Sequence, residues 1–203
     1  MIVTMRGRLV VAIALTLAGT AHADWYSRGH GQAPTNEKIF VCHGYTCRIV
    51  TPVRFSSTEI AKIAGSLTKG ASDAEGERQA LSLAVQIFET MVGARIGTAH
   101  DLPGMQFGQG TDDQMDCIDE ATNTTSLLLF LAAHGYLKHH RVEAPSARGF
   151  FIDGRYPHAT AVLTDTISGK KWAIDSWPRA NALPPVIMPL GEWKRSRVGR
   201  LDS

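Results

Sequence analysis

Gln114-Met115-Asp116-Cys117-Ile118-Asp119-Glu120-Ala121 is the stretch whose reading decides the fold. It runs on into Leu127-Leu128-Leu129-Phe130-Leu131-Ala132-Ala133 and stops at His134-Gly135. Asp116 is a natural N-cap, because a short carboxylate bonds the free N–H groups of a first helical turn. Asp119 and Glu120 then fall where the helix dipole favours negative charge. Leu127 to Ala133 is apolar almost all round, which predicts a buried central helix over 117–134, and Gly135 supplies its stop. Cys117 therefore stands at the N-terminus of a buried helix.

Downstream the apolar period changes from helical to two. Residues 148–153, 158–164 and 171–177 read as consecutive strands, with Asp165-Thr166-Ile167-Ser168-Gly169-Lys170 as the turn between the last two. Upstream, 24–38 reads as an irregular leader. Ile39-Phe40-Val41 and Arg48-Ile49-Val50 form a hairpin. Ile60, Ile63, Ala64 and Leu67 mark a short helix over 57–67. Ser72-Asp73-Ala74-Glu75 resembles a capping box and opens a helix to about Gly93, and the glycine-rich segment 97–114 reads as a loop. Helices followed by an antiparallel sheet give an α+β domain.

The first residues do not fit that domain. Arg6 and Arg8 precede an apolar run from Leu9 to Ala18, and Ala21-His22-Ala23 has the small-x-small form of a cleavage site. Residues 1–23 thus read as a signal peptide, and 24–203 as a single domain. The apolar run is too short to span a bilayer. No cysteine follows it for a lipid anchor, so no stable membrane insertion is expected after cleavage. The expected location is periplasmic or secreted. Loss of Arg6 and Arg8 takes 21 Lys+Arg to 19, equal to the 19 Asp+Glu, so nucleic acid is not an expected partner. Lys194, Arg195, Arg197 and Arg200 read as a solvated C-terminal tail.

Export permits disulfides. Cys42 and Cys47 flank the tight segment His43-Gly44-Tyr45-Thr46, and a bridge across that neck leaves Cys117 as the free thiol. A redox pair needs closer spacing, and two cysteines with one histidine make an incomplete zinc site.

A free cysteine at a helix start, a histidine opening one strand and an aspartate closing the next form a candidate triad: Cys117, His158 and Asp175. The helix terminus favours thiolate, the helix N–H groups favour an oxyanion, His158 is the candidate base and Asp175 its orienter. Gln114 is the candidate second oxyanion donor, with Gln109 next. Opposing thiolate formation are Asp112, Asp113, Asp116, Asp119 and Glu120. Either an imidazolium at His158 offsets them, giving an ion-pair resting state, or they point away, or they hold a cation. Calcium suits such oxygen-rich runs, although no EF-hand spacing is present, and no other metal or cofactor is expected. His134, His139 and His140 read as cations near the C-terminus of the buried helix. Asn123-Thr124-Thr125 matches a glycosylation acceptor but lies inside that helix.

Residues 114–177, about a third of the chain, resemble the transglutaminase-like cysteine protease superfamily, and most nearly its bacterial transglutaminase-like cysteine proteinases. The resemblance is carried by Asp116-Cys117-Ile118-Asp119 with Leu127-Leu128-Leu129 and Gly135, by Pro157-His158-Ala159-Thr160-Ala161-Val162-Leu163, and by Trp172-Ala173-Ile174-Asp175. It implies a papain-like or transglutaminase-like fold, in which the central helix carrying Cys117 packs on the antiparallel sheet, with Cys117 as nucleophile, His158 as base and Asp175 as orienter. It also implies acyl transfer through a thioester on a peptide or protein substrate, ending in hydrolysis or amine transfer. The expected activity is that of an exported peptidase or amidase. The alternative is a non-catalytic envelope protein that binds a peptide or protein partner on the same scaffold. A third reading is a metal-binding module built from the carboxylates and histidines. Substrate identity and oligomeric state are not encoded in any motif.

Overall fold

The computed structural model describes residues 24–28, 31–69, 71–104, 111–149 and 157–196. The signal segment, Gln109, Arg197, Arg200 and most of the strand expected over 148–153 lie outside those residues.

Residues 24–28 form a helical turn, α1. The chain continues through strands β1 (Lys38–His43) and β2 (Ile49–Arg54), then helices α2 (Ser57–Ile63), α3 (Gly65–Thr68), α4 (Ala74–Ile96) and α5 (Cys117–Ala133). Strands β3 (His140–Arg148), β4 (His158–Asp165), β5 (Lys171–Asp175) and β6 (Val186–Pro189) follow, and α6 (Leu190–Arg195) ends the described chain. β1 and β2 make a two-stranded sheet. The other four strands form an antiparallel sheet in the order β3-β4-β5-β6. The class is α+β.

The central helix begins and ends where its sequence demands. The Asp116 side chain accepts from the N–H groups of Ile118 and Asp119, and Asp119 reaches back to the N–H of Asp116, completing a capping box. Gly135 adopts φ 76° just beyond the helix. Leu127, Leu128, Phe130 and Leu131 are fully buried in one core with residues of α4, β1 and the four-stranded sheet. Each such side chain contributes about 1.5–3 kcal/mol.

Several boundaries differ from expectation. The helix expected over 57–67 breaks at Ala64 into α2 and α3. Asp73 caps α4 through the Gly76 N–H alone, and α4 runs past Gly93 to Gly97, whose φ of 90° closes it. Gly93 is needed for another reason: a Cβ there would lie 2.9 Å from the Ala99 Cα of the following loop. β3 begins well before Arg148, because His140-Arg141-Val142-Glu143 alternates along a sheet edge where charges are tolerated. The leader is not wholly irregular: Trp25 donates to Thr122 and the Tyr26 hydroxyl bonds Ser126, so α1 docks on α5.

The hairpin register settles the relation of His158 to Asp175. Ala161 pairs with Ile174 and Leu163 with Trp172. Continued, that register sets Asp175 opposite Thr160, two residues from His158 and therefore on the same face. Ala161, Leu163 and Ile174 point the other way, into the core.

Candidate active site

β4 and β5 carry His158 and Asp175, and both side chains are buried. The His158 Nε2 lies 2.7 Å from Asp175 Oδ2, and the same oxygen accepts the Trp193 indole N–H at 2.7 Å. With Nε2–H donating to a carboxylate, Nδ1 is the nitrogen that carries the lone pair. That nitrogen is buried and has no hydrogen-bond partner. Trp177 and Trp193 cover the ring at centroid distances of 4.6 and 5.3 Å. The imidazole is therefore fixed at one end, walled by indoles and unpaired at the other.

Cys117 is the first residue of α5 and is a buried free thiol. Its Sγ is 3.9 Å from the Pro157 carbonyl and also receives the Ala159 backbone N–H. The sulfur thus rests on the backbone on both sides of His158, while the thiol–imidazole hydrogen bond itself is not made. Burial pushes the thiol up to about 12, and the charges of Asp116 and Asp175 add to that rise. The N–H groups of Ala159 and Cys117 oppose it. In this arrangement the sulfur does not bond the imidazole, so of the alternatives left open by the sequence the ion pair is not formed, and Asp116 and Asp119 are instead directed to other partners.

The carboxylates around Cys117 have structural partners. Asp119 accepts from the N–H groups of Tyr45 and Cys47, and Asp116 from that of Thr46. Gly44, Tyr45, Thr46 and Cys47 all have positive φ, a strained run for three non-glycine residues. The two carboxylates hold the run by satisfying its N–H groups, much as they would hold a cation. Cys42 and Cys47 are bridged, so their sulfurs, which lie near Asp119, are not thiolate ligands. Asp112 pairs with Arg48.

Other sequence candidates are placed differently. The Gln114 side chain accepts the Leu102 N–H and donates to the carbonyls of His100 and Asp113. It braces residues 100–102, and its amide hydrogens are already committed. His140 is not a helix-terminal cation; it sits in β3, bonded to buried Glu77. Asn123 is no glycosylation acceptor, since it is buried with its amide bonded to both the N–H and C=O of Cys42. Lys194 and Arg195 are exposed, but they belong to α6, which buries Trp193 against His158.

The sequence reading missed Trp193 and the acids beneath α5. Trp193 is masked by the basic residues after it, and only its large apolar ring within that run hints at burial. Glu89 and Asp101 are both pushed up to about 7, chiefly by burial, and Glu120 is raised well beyond the usual carboxylate range by burial and by Glu89, Asp101, Asp119 and Asp175. The loop is tied to the site through these groups: Asp101 accepts the Met115 N–H, and the Gly104 N–H bonds the Trp177 carbonyl.

No protein-family profile matches this chain, and comparison with curated proteins and with solved structures gives no match either.

Proposed function

We propose that this protein is a cysteine-dependent acyl-transfer enzyme of the transglutaminase-like cysteine peptidase type, acting on peptide or protein amides outside the cytoplasm. The observation that carries the reading is the His158–Asp175 pair, bonded through Nε2 with Nδ1 left unpaired, beside a free cysteine at a helix start. A buried imidazole nitrogen without a partner is uncommon in a purely structural role. The Cys42–Cys47 bridge supports an oxidising compartment.

Catalysis requires Cys117 Sγ to turn from the Pro157 carbonyl toward Nδ1. The thiol proton then passes to Nδ1 and the thiolate attacks the acyl carbon. The N–H groups of Ile118 and Asp119 are taken by the Asp116 cap, so the Cys117 backbone N–H is the α5 donor offered to the developing oxyanion. The imidazolium, steadied by Asp175, protonates the departing amine, which leaves a thioester on Cys117. Water, or an acceptor amine, then attacks the thioester with His158 removing its proton; the C–S bond breaks, the acid or new amide departs, and the Cys117 sulfur takes the proton back from His158.

One observation favours the rival, non-catalytic binding scaffold: Cys117 is buried and its thiol is pushed up to about 12. Incubation with activated peptide esters followed by mass spectrometry separates the two. An acyl adduct mapped to Cys117, absent in Cys117→Ala, is expected of the enzyme. Ester cleavage that survives Cys117→Ala unchanged removes the proposal.

A further inference from the structure

Away from Cys117, an open surface cavity of about 460 Å³ is lined by Glu75, Arg78 and Ser82 of α4 together with Trp172, Pro185 and Ile187. Its volume suits a small organic group. The Arg78 guanidinium stacks on the Trp172 ring at 3.7 Å from the centroid, and its Nη1 lies 3.2 Å from His140 Nε2. His140 is oriented in turn by Glu77, whose Oε1 is 2.9 Å from Nδ1, both side chains being fully buried. Glu77 also accepts the N–H groups of Lys138 and His139. Burial raises the Glu77 carboxyl, but these bonds outweigh it and hold it ionised. His140 Nδ1–H therefore donates to Glu77, and Nε2 is left to accept from Arg78.

The guanidinium is thus held in place by a ring face and a neutral imidazole nitrogen, neither of which cancels its charge. Among the described residues Arg78 makes no ion pair. Lys170 adds a second cation 4.6 Å from the same indole, and the Trp172 N–H has no acceptor. Glu75, on the cavity wall, limits how much negative charge the cavity accepts.

We infer that this cavity binds a singly charged carboxylate carried on an apolar body, namely the C-terminal residue of a peptide with an apolar side chain. Arg78 receives the carboxylate through its planar fork. Trp172, Pro185 and Ile187 contact the side chain, and Glu75 repels a second negative charge, so phosphate and dicarboxylates are disfavoured. Nothing in this inference depends on the chemistry at Cys117.

The test is NMR titration of the Cys117→Ala protein, following the Trp172 indole N–H and the Arg78 Nε–H. N-acetyl-phenylalanine should shift both signals saturably, and its amide should bind at least about 10-fold more weakly. N-acetyl-glutamate α-amide, with its carboxylate on the side chain, should be similarly weak. Arg78→Met keeps much of the stacking stem, and Ser82→Tyr, one helical turn on from Arg78, fills the cavity while keeping the guanidinium; each should cost at least about 10-fold. Glu75→Gln should improve succinate binding. The inference is overturned if acid and amide bind alike, if the glutamate derivative binds as well as the phenylalanine acid, or if both cavity variants leave binding intact. Absence of any shift up to about 10 mM ligand overturns it equally.

Discussion

Asp175 Oδ2 accepts from two buried donors at the same distance, His158 Nε2 and Trp193 Nε1, each at 2.7 Å. One carboxylate oxygen thereby fixes the imidazole and anchors α6. Asp175→Asn should preserve an acceptor but weaken both bonds, lowering turnover by less than His158→Ala does. Trp193→Phe should leave the tautomer of His158 intact and cost stability instead, about 1.5–3 kcal/mol for a bond to a charged group. Urea unfolding and turnover measured on the same three variants separate the two roles.

The 42–47 bridge closes a very short loop with four consecutive positive-φ residues, of which Tyr45, Thr46 and Cys47 are held by Asp116 and Asp119 and Gly44 by the Gln114 carbonyl. Thiol counting under denaturing, non-reducing conditions should find one free thiol, that of Cys117. Cys42→Ala with Cys47→Ala should cost about 2 kcal/mol on the chain-entropy argument. Three free thiols in the oxidised protein contradict the pairing.

Asn123 stitches α5 to β1 by bonding both backbone groups of Cys42. Asn123→Leu keeps the volume and removes both bonds. The expected loss is about 1–3 kcal/mol for each backbone group left unpaired, read from urea unfolding. A loss below the range for a single group indicates that Cys42 finds other partners.

Stability should fall as pH rises toward and past neutrality. Glu89 and Asp101 are raised to about 7, mainly by burial, with the charge of Asp101 adding for Glu89 and those of Asp113 and Asp116 for Asp101. The Ala182 N–H and Ser176 hydroxyl oppose the rise at Glu89, as the Met115 N–H does at Asp101. Unfolded carboxylates titrate near about 4, so between that pH and about 7 the native state binds more protons than the unfolded one. The stabilisation is complete below the unfolded value and lost as pH passes the folded one. The urea midpoint should therefore drop between about pH 5 and 8, and Glu89→Gln should flatten the drop. A midpoint that rises over this range contradicts the assignment.

Legibility in the sequence followed the range of the interaction. Asp116 as N-cap, the Cys42–Cys47 bridge and the β4–β5 turn are local, written in residues a few positions apart. The shared face of His158 and Asp175 depended on a register that the turn residues left open by one or two positions. The partners of Asn123, His140 and Trp193 are distant in sequence, and no local pattern announces them. Gln114 carries the right chemistry for an oxyanion donor, but the 97–104 loop folds back and takes its amide. The acids near Cys117 looked hostile to a thiolate because sequence shows their proximity and not their direction; two of them face the 44–47 run instead.

The central claim is that His158 draws the proton from Cys117. With Sγ on the Pro157 carbonyl, burial and the charges of Asp116 and Asp175 push the thiol up to about 12. The direct measurement is the rate of Cys117 alkylation by iodoacetamide against pH, in wild type and in His158→Ala. Wild type should react well below the ordinary thiol pKa of about 8.5, through the rotamer in which Sγ has turned to Nδ1 and passed its proton to the imidazole. His158→Ala should react only in strongly alkaline solution. Superimposed profiles for the two proteins contradict the account and leave Cys117 a structural cysteine.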